Sequence, residues 1–552
     1  MDYEKLAELL FPNIDKDINY YLTKYPARKL PENAEVTRIG PSPTGYLHIG
    51  TIYQALLNKT IAQQSGGVFF LRIEDTDSKR EVEGAADIMY PCLKEFGVEP
   101  HEGFVSNEIS LGDYGPYKQS ERKEIYQAFC KELVKRGKAY PCFCSDDDDD
   151  DACDYKAEQK RLGVQTGYYG VWAKCRNLTL EEVEDNLKAG KPFKIRIKAD
   201  GDGIEKIVCE DELRGKIVFP KNFLDYVLLK QDGQAVYHLA HIVDDTLMHT
   251  TLVIRDESWL PSYPLHKQMF DFIGLKAPKY LHTPQILTID EKTGNARKVS
   301  KRYDPWADSR EFIKEGYPNE AIREYLMILL NSNFETFKLQ NPDAKLEDYN
   351  FKISNMNKSG AQFDHEKLKY ISKNVISRFS AERIYDEAVR YYKENDVDFY
   401  NKLVNNKDYA IKMFSIERGG IKPRKDIERF ADIKNIYHYF FNDYFEAKNY
   451  EFDERYNKEV IKEILNRYIS TYSESDEKDV WFGKIKFLAE DLGFASDMKE
   501  YKANKEAYVG SYADVSAIIR MAITKEKNTP DLYEICKLLT KEEIMRRVEK
   551  IV

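Results

Sequence analysis

The sequence predicts an α/β protein: a parallel-sheet domain, split by an α+β insertion and followed by a mostly α-helical C-terminal half. Three observations carry this. V-T-R-I-G (36–40), T-I-Y-Q-A-L-L-N-K-T-I-A-Q-Q (51–64) and V-F-F-L-R-I-E (68–74) succeed one another as strand, helix and strand, which builds a parallel sheet. Sheet signals stop between about 114 and 210 and then return. From about 310 the pattern is helical, as in N-E-A-I-R-E-Y-L-M-I-L-L, S-A-E-R-I-Y-D-E-A-V-R-Y-Y, V-S-A-I-I-R-M-A-I-T and K-E-E-I-M-R-R-V-E-K.

Taken in order, residues 1–33 read as one or two short helices before Pro31. The strand at 36–40 is apolar enough to be buried. In the helix at 51–64, Ile52, Ala55, Leu56 and Ala62 share a face, and Ser65-Gly66-Gly67 ends it. Inside 114–210 stand a cysteine pair, an acidic run at Asp146 to Asp151, and the strand K-P-F-K-I-R-I-K. D-Y-V-L-L-K-Q-D-G-Q-A-V-Y-H-L-A reads as a hairpin turning at Asp232-Gly233. T-L-V-I-R (251–255) is another short strand. The expected divisions are an N-terminal extension (1–33), a catalytic sheet domain (34–113 and 211–300), an insertion (114–210), a connecting region (301–375) and a helical region (376–552).

With 552 residues, 42% hydrophobic and 32% charged, the chain has the composition of a multidomain globular protein. No run of about 20 apolar residues predicts a membrane span, and the acidic N-terminus lacks the basic and apolar regions of a secretory signal. Eight thinly spread cysteines fit a reducing cytosol. The net charge of −10 speaks against a nucleic-acid partner only weakly, since binding needs a local basic surface. Arg297, Lys298, Lys301 and Arg302 form one such cluster. Lys422, Arg424 and Lys425, after Arg418, form another. On charge alone, either reads first as a solvated face.

Parallel sheets bind ligands beyond the carboxyl ends of their strands. The loop 40–50 and E-D-T-D (74–77) lie there. In R-I-G-P-S-P-T-G-Y-L-H-I-G (38–50), Pro41 and Pro43 fix the backbone and Gly45 permits a turn closed to other residues. A helix then begins near Gly50, so its free N–H groups make an anion site with His48 at the entrance. The loop carries neither the Walker lysine nor G-x-G-x-x-G. Alone, it is equally a rigid turn. R-K-V-S-K-R (297–302) places two lysines three apart in a turn-rich loop, which suits a clamp on a polyphosphate; alone, it reads first as an exposed basic loop.

Together the two motifs are specific. P-S-P-T-G-Y-L-H-I-G resembles the HIGH signature of class I aminoacyl-tRNA synthetases, with Thr51 where many members carry histidine, and K-V-S-K-R (298–302) resembles their KMSKS loop. R-I-G-P-S-P-T-G-Y-L-H-I-G with L-R-I-E-D-T-D is similar to the bacterial-type glutamyl-tRNA synthetases. G-P-Y-K-Q-S-E-R, D-E-L-R-G, V-Y-H-L-A-H-I-V-D-D, V-I-R-D-E-S-W and G-A-Q-F-D-H-E-K-L add to the match, which thins between 376 and 505.

The resemblance implies a split Rossmann catalytic domain, an acceptor-end insertion, a stem-contact region and a helical anticodon-binding half. It implies a cytoplasmic, monomeric glutamate–tRNA ligase, which forms glutamyl adenylate from L-glutamate and ATP with Mg²⁺ and passes the acyl group to glutamate tRNA. His48, Lys298 and Lys301 would stabilise phosphate charge; Ser42, Thr44, Gly50 and Trp259 join them around ATP. Arg38 and Tyr237 would face the substrate's side-chain carboxylate, with Arg255 close by and His241 a further contact; Ser42 and Glu74 would hold the ammonium. The competing role for Arg38 is a salt bridge to Glu74. For tRNA, the resemblance suggests Asp77, Arg80 and Arg424. Cys142, Cys144 and Cys175 resemble the zinc site of some relatives, but Asn177 stands where those have histidine; Cys153 is the substitute ligand, and zinc is not expected. The rival within the class is an enzyme that also charges glutamine tRNA. A truncated tRNA-modifying paralogue is disfavoured by the long C-terminal half, and an inactive RNA-binding relative by intact His48, Lys298 and Lys301.

Overall fold

The computed structural model describes residues 1–77, 81–144 and 155–552. These form two compact units, one of residues 1–311 with 323–364, the other of 312–322 with 365–552.

The first unit opens with helices α1 (Tyr3–Leu10) and α2 (Ile18–Lys24), each capped by an aspartate that accepts a backbone N–H. Strand β1 (Val36–Ile39) leads into α3 (Ile49–Ser65), which stops at Gly66 in the left-handed conformation, φ +70°. Ile52, Ala55, Leu56 and Ala62 are all buried, as their spacing predicts. Strand β2 (Val68–Leu71) then pairs parallel to β1, in the register Arg38 to Phe70, and β3 (Glu102–Ser106) pairs parallel to β2. The expected strand over 68–74 is thus shorter than its apolar run. Beyond Leu71 the regular ladder ends but backbone bonds continue, Arg72 N–H donating to the Ile39 carbonyl (3.0 Å) and Glu74 N–H to the Pro41 carbonyl (3.0 Å). Strand β4 (Ile109–Leu111) closes this sheet antiparallel.

Helix α4 (Met89–Glu95) precedes β3, and α5 (Lys123–Lys135) leads to β5 (Ala139–Cys142). After α6 (Tyr155–Leu162) and α7 (Leu180–Lys188), β6 (Lys194–Ile197) pairs antiparallel with β5. The hairpin β7 (Lys206–Asp211) and β8 (Gly215–Pro220) follows, then β9 (Val227–Leu229), which joins β6. The hairpin expected at Asp232-Gly233 is present but shorter than expected: Ala235 pairs antiparallel with Leu229, and Val236 N–H donates to the Leu228 carbonyl (3.0 Å). The returning arm ends there, and the remainder is helix α8 (Tyr237–Leu247). Leu239, Ala240, Ile242, Val243 and Leu247 recur at helical spacing and are buried, and that burial outweighs the alternation of the preceding residues.

Strand β10 (Leu252–Asp256) is followed by α9 (Tyr263–Ile273) and β11 (Lys279–Thr283), which pairs parallel with β10 and meets β7. Strands β12 (Ile286–Ile289), β13 (Ala296–Lys298) and β14 (Ala361–Gln362) form a small separate sheet. Strands β1 and β10 lie side by side at the centre. Thr251 N–H donates to the Val36 carbonyl (3.0 Å) and Val36 N–H to Thr251 Oγ1 (2.8 Å), both at the start of the strands. Further along, the Arg38 side chain makes the link, Nη1 donating to the Ile254 carbonyl (3.3 Å). The strand order runs outward from this pair in both directions, which is where such sheets open a crevice.

The second unit is helical. Its core includes Ala381–Asn395, Lys458–Thr471, Tyr512–Thr524 and Lys541–Glu549. Arg547 is wholly buried; it donates to the carbonyls of Ile523 (2.6 Å) and Tyr439 (2.8 Å) and pairs with Glu543 (2.6 Å).

Candidate active site

The turn after β1 is shaped by glycine where glycine is required. Gly45 has φ +116°, and a Cβ on Gly40 would lie 2.2 Å from Glu74 Oε1. The turn delivers His48 to the N-cap of α3, where Nδ1 accepts the Gly50 N–H (2.9 Å). That bond fixes the tautomer: the proton sits on Nε2, the only ring donor. A Cβ at Gly50 would stand 3.0 Å from His48 Nδ1, so the glycine leaves room for the ring. Burial, then the charges of Lys301 and Lys298, push the His48 pKa down to about 4. His48 is therefore a neutral donor at physiological pH.

The basic loop comes to the same place from about 250 residues away. Arg297 grips Asp304 with Nη1 and Nη2 (2.6 and 2.8 Å), and Asp304 Oδ2 also accepts the Ser300 N–H (2.9 Å), folding the loop onto one carboxylate. Lys301 donates to the Tyr46 carbonyl inside the signature turn, and Lys298 Nζ lies 3.4 Å from Asp256 Oδ2 at the end of β10. Backbone bonds hold the two segments together: His48 forms a bridge with Asp308, and Ser309 N–H donates to the Leu47 carbonyl (3.1 Å). The Arg310 guanidinium stacks on Tyr46.

A cleft of about 960 Å³ opens beyond the ends of β1 and β10, lined among others by Arg38, Ser42, Glu74, Tyr237, Arg255 and Trp259. Thr76 and Asp77 line it too, and Arg80 lies outside the described residues. Trp259 packs on Tyr237, ring centroids 4.3 Å apart. Thr44 is exposed on the turn, and Gly50 is in the first turn of α3.

The buried charges around this cleft are paired differently from expectation. Arg38 pairs with Asp245 (Nε to Oδ1, 3.1 Å), not with Glu74. Glu74 pairs with Arg72 (2.8 Å), which also reaches Asp245 Oδ1 (2.8 Å). Burial raises the Glu74 carboxyl above its ordinary range, and the two arginines only partly offset this. For Asp245, burial acts the same way, but Arg38 and Arg72 overcome it and hold the acid well below the ordinary range. Arg255 is also buried. Its Nε donates to His282 Nε2 (2.9 Å), Nη1 lies 3.1 Å from His266 Nδ1 and 3.4 Å from the Tyr237 hydroxyl, and Nη2 has no partner among the described residues.

His241 must be corrected. It lies behind Tyr237 with the rings stacked 5.6 Å apart, fully buried, Nδ1 2.6 Å from Asp245 and Nε2 2.9 Å from the Tyr280 hydroxyl. It supports the cleft and does not line it.

Sequence reasoning missed Arg72, Asp244, Asp245, Asp256 and Asp304. Asp244 receives Arg122 Nε (2.6 Å), Gln119 Nε2 (2.8 Å) and the Tyr126 hydroxyl (2.9 Å), so one carboxylate on α8 gathers three groups from the segment 119–126. The available signal was the acidic pair in the matched V-Y-H-L-A-H-I-V-D-D, two charges on an otherwise apolar helix.

Two other expected sites lie elsewhere. The sulfurs of Cys142, Cys144 and Cys175 gather within 4.8 Å of one another, with the Tyr168 hydroxyl 3.4 Å from Cys144 Sγ. Among the described residues no fourth His, Cys, Asp or Glu joins them, one short of a tetrahedral zinc site. Cys153 and the acidic run at Asp146 to Asp151 lie outside the described residues. Arg424, in the second unit, is half-buried and paired with Asp426 (2.9 Å) and Glu417 (3.4 Å), which occupies much of its fork.

Comparison with known proteins gives one answer. The family described as tRNA synthetases class I (E and Q), catalytic domain, matches residues 35–370, and an anticodon binding domain matches 420–552. A glutamate–tRNA ligase of Acetivibrio thermocellus is 43% identical over 552 residues, the whole of both chains. One from Clostridium perfringens is 42% identical, over 100% of this chain and 99% of that one. The crystal structure of a glutamate tRNA ligase from Elizabethkingia meningosepticum, in complex with its amino acid, superposes with a TM-score of 0.72 at 27% identity, covering 94% of this chain and 99% of that one.

Proposed function

The chain belongs to the class I tRNA synthetases of the E and Q type, and from that premise we infer that it is a glutamate–tRNA ligase, an aminoacyl-tRNA ligase that activates L-glutamate with ATP and transfers it to the 3′ end of tRNA. The observation that carries the reading is the meeting of His48 with the Lys298–Lys301 loop beside a cleft lined by two buried arginines.

ATP enters with Mg²⁺ and lies across the turn 41–50. His48 Nε2–H and the ammonium groups of Lys298 and Lys301 receive the charge that builds on the phosphates as pyrophosphate leaves. Ser42, Thr44 and Gly50 shape the nucleotide side, and Trp259 offers it an aromatic face. The substrate carboxylate attacks the α-phosphorus directly, so the protein supplies position and field and no nucleophile of its own. Arg255 Nη2, which lacks a partner among the described residues, suits the side-chain carboxylate, with Arg38 and Tyr237 completing that end of the cleft. Glu74 and Ser42 suit the ammonium. An uncharged amide leaves a buried guanidinium unsatisfied, which favours glutamate over glutamine. Asp77 serves the acceptor end, Arg80 is assigned to it by resemblance alone, and the helical region with Arg424 serves the anticodon. The free thiols of the described cysteines are consistent with a cytosolic location. By resemblance, the enzyme works as a monomer.

ATP–pyrophosphate exchange with glutamate, in the presence of glutamate tRNA, tests the reading. Glutamate-dependent exchange is expected, and its absence overturns the assignment.

A further inference from the structure

Arg255 differs from the other buried arginines near the cleft in what holds it. Arg38 and Arg72 are bound by Asp245, and Arg122 by Asp244. Among the described residues no carboxylate lies within ion-pair distance of Arg255. Two histidines take that place. A guanidinium only donates, so both facing ring nitrogens must be acceptors. His282 Nε2 accepts from Arg255 Nε (2.9 Å), which puts the His282 proton on Nδ1; there it meets Asp211 Oδ2 at 2.8 Å. His266 Nδ1 accepts from Arg255 Nη1 (3.1 Å), which puts its proton on Nε2, 2.9 Å from His238 Nδ1. The Asp211 carboxylate is itself fixed by the N–H groups of Leu213, Arg214 and His282. The Tyr237 hydroxyl adds a third, longer contact to Nη1 (3.4 Å). The result is a guanidinium aimed by neutral acceptors, with its charge uncancelled and, among the described residues, Nη2 unpartnered.

We propose that Asp211, His282 and His266 are positioning residues that hold Arg255 to receive the side-chain carboxylate of glutamate, and that they thereby set discrimination against glutamine. The argument rests on the reading of Arg255 given above. A carboxylate acceptor in place of His282 would hold the guanidinium as firmly but neutralise it, and the preference for an anionic side chain would fall. A neutral acceptor orients without neutralising. Asp211 supplies what that acceptor needs: it locks the imidazole as the Nδ1–H tautomer, so that the Nε2 lone pair always faces Arg255.

The test is steady-state ATP–pyrophosphate exchange with the full chain and glutamate tRNA, measuring KM and kcat for glutamate and for glutamine. His282→Leu removes the acceptor. It is expected to raise the glutamate KM about ten- to a hundredfold, the range for a hydrogen bond to a charged group, while the ATP KM stays within about twofold. The glutamate-to-glutamine ratio of kcat/KM falls with it. His282→Gln keeps an amide oxygen near the Nε2 position and restores most of the loss. Equal losses in both variants, or an unchanged glutamate KM in His282→Leu, overturn the proposal. If His282→Leu does not fold, His266→Leu against His266→Asn asks the same question at the second acceptor, and the same two outcomes decide it. Arg255→Ala separates the two claims. If it leaves the glutamate KM unchanged, the role of Arg255 itself is wrong. If it raises KM while the histidine variants do not, only the positioning role fails.

Discussion

At the scale of single residues, His48 does two jobs with its two nitrogens. Nδ1 caps α3 and Nε2–H remains for the phosphates. His48→Asn keeps a cap acceptor and, being shorter, loses the donor at the Nε2 position. It should therefore unfold in urea close to the parent chain, whereas His48→Ala loses about 1 kcal/mol with the cap. Both should lower glutamate-dependent pyrophosphate exchange, on the order of a hundredfold. Lys301→Ala should depress adenylate formation far more than tRNA affinity, checked by exchange and by filter binding; equal losses contradict the role of the loop. The histidine and lysines were legible because their chemistry is written in contiguous motifs. The Arg38 partner was not. Asp245 is 207 positions away, and nothing local distinguishes it from the nearer Glu74.

At the scale of elements, α8 is the piece the sequence disguised. Its first residues alternate like a strand, and only burial of Leu239, Ala240, Ile242, Val243 and Leu247 on neighbouring turns reveals the helix. Its two aspartates then bind in different directions, Asp245 to Arg38 and Arg72, Asp244 to Arg122, Gln119 and Tyr126. Removing one partner of a buried pair leaves an uncompensated charge, so Asp244→Ala should cost about 3–5 kcal/mol, read from urea unfolding. The same change at exposed Asp271 should be nearly silent. The βαβ unit was legible for the opposite reason: its strands, its helix and the stop at Gly66 all agree locally with the fold.

At the scale of the whole molecule, buried imidazoles set the acid limit. Burial lowers the pKa of His48 to about 4, His238 to about 4 and His241 to about 3, and lowers His266 and His282 as well. The unfolded chain takes up those protons near pH 6.5 and the folded chain does not, so stability rises with pH across this window and falls on acidification through it. The urea midpoint should drop between about pH 7 and about pH 5, with net proton uptake on unfolding. A midpoint that is flat over that range would contradict the burial of these rings. Net charge says little at this scale, because −10 averages over surfaces that act separately. Salt should therefore raise the tRNA KM steeply and barely move the glutamate KM, since exposed phosphate contacts are screened and buried pairs are not. The docked lysines bear on nucleotide affinity as well. Lys298 and Lys301 already hold Asp256 and the Tyr46 carbonyl, so ATP arrives as a competitor and its measured affinity is the difference between two sets of bonds. Weakening the internal rival, as in Asp256→Asn, should tighten ATP by titration calorimetry even while it removes a contact from the folded chain.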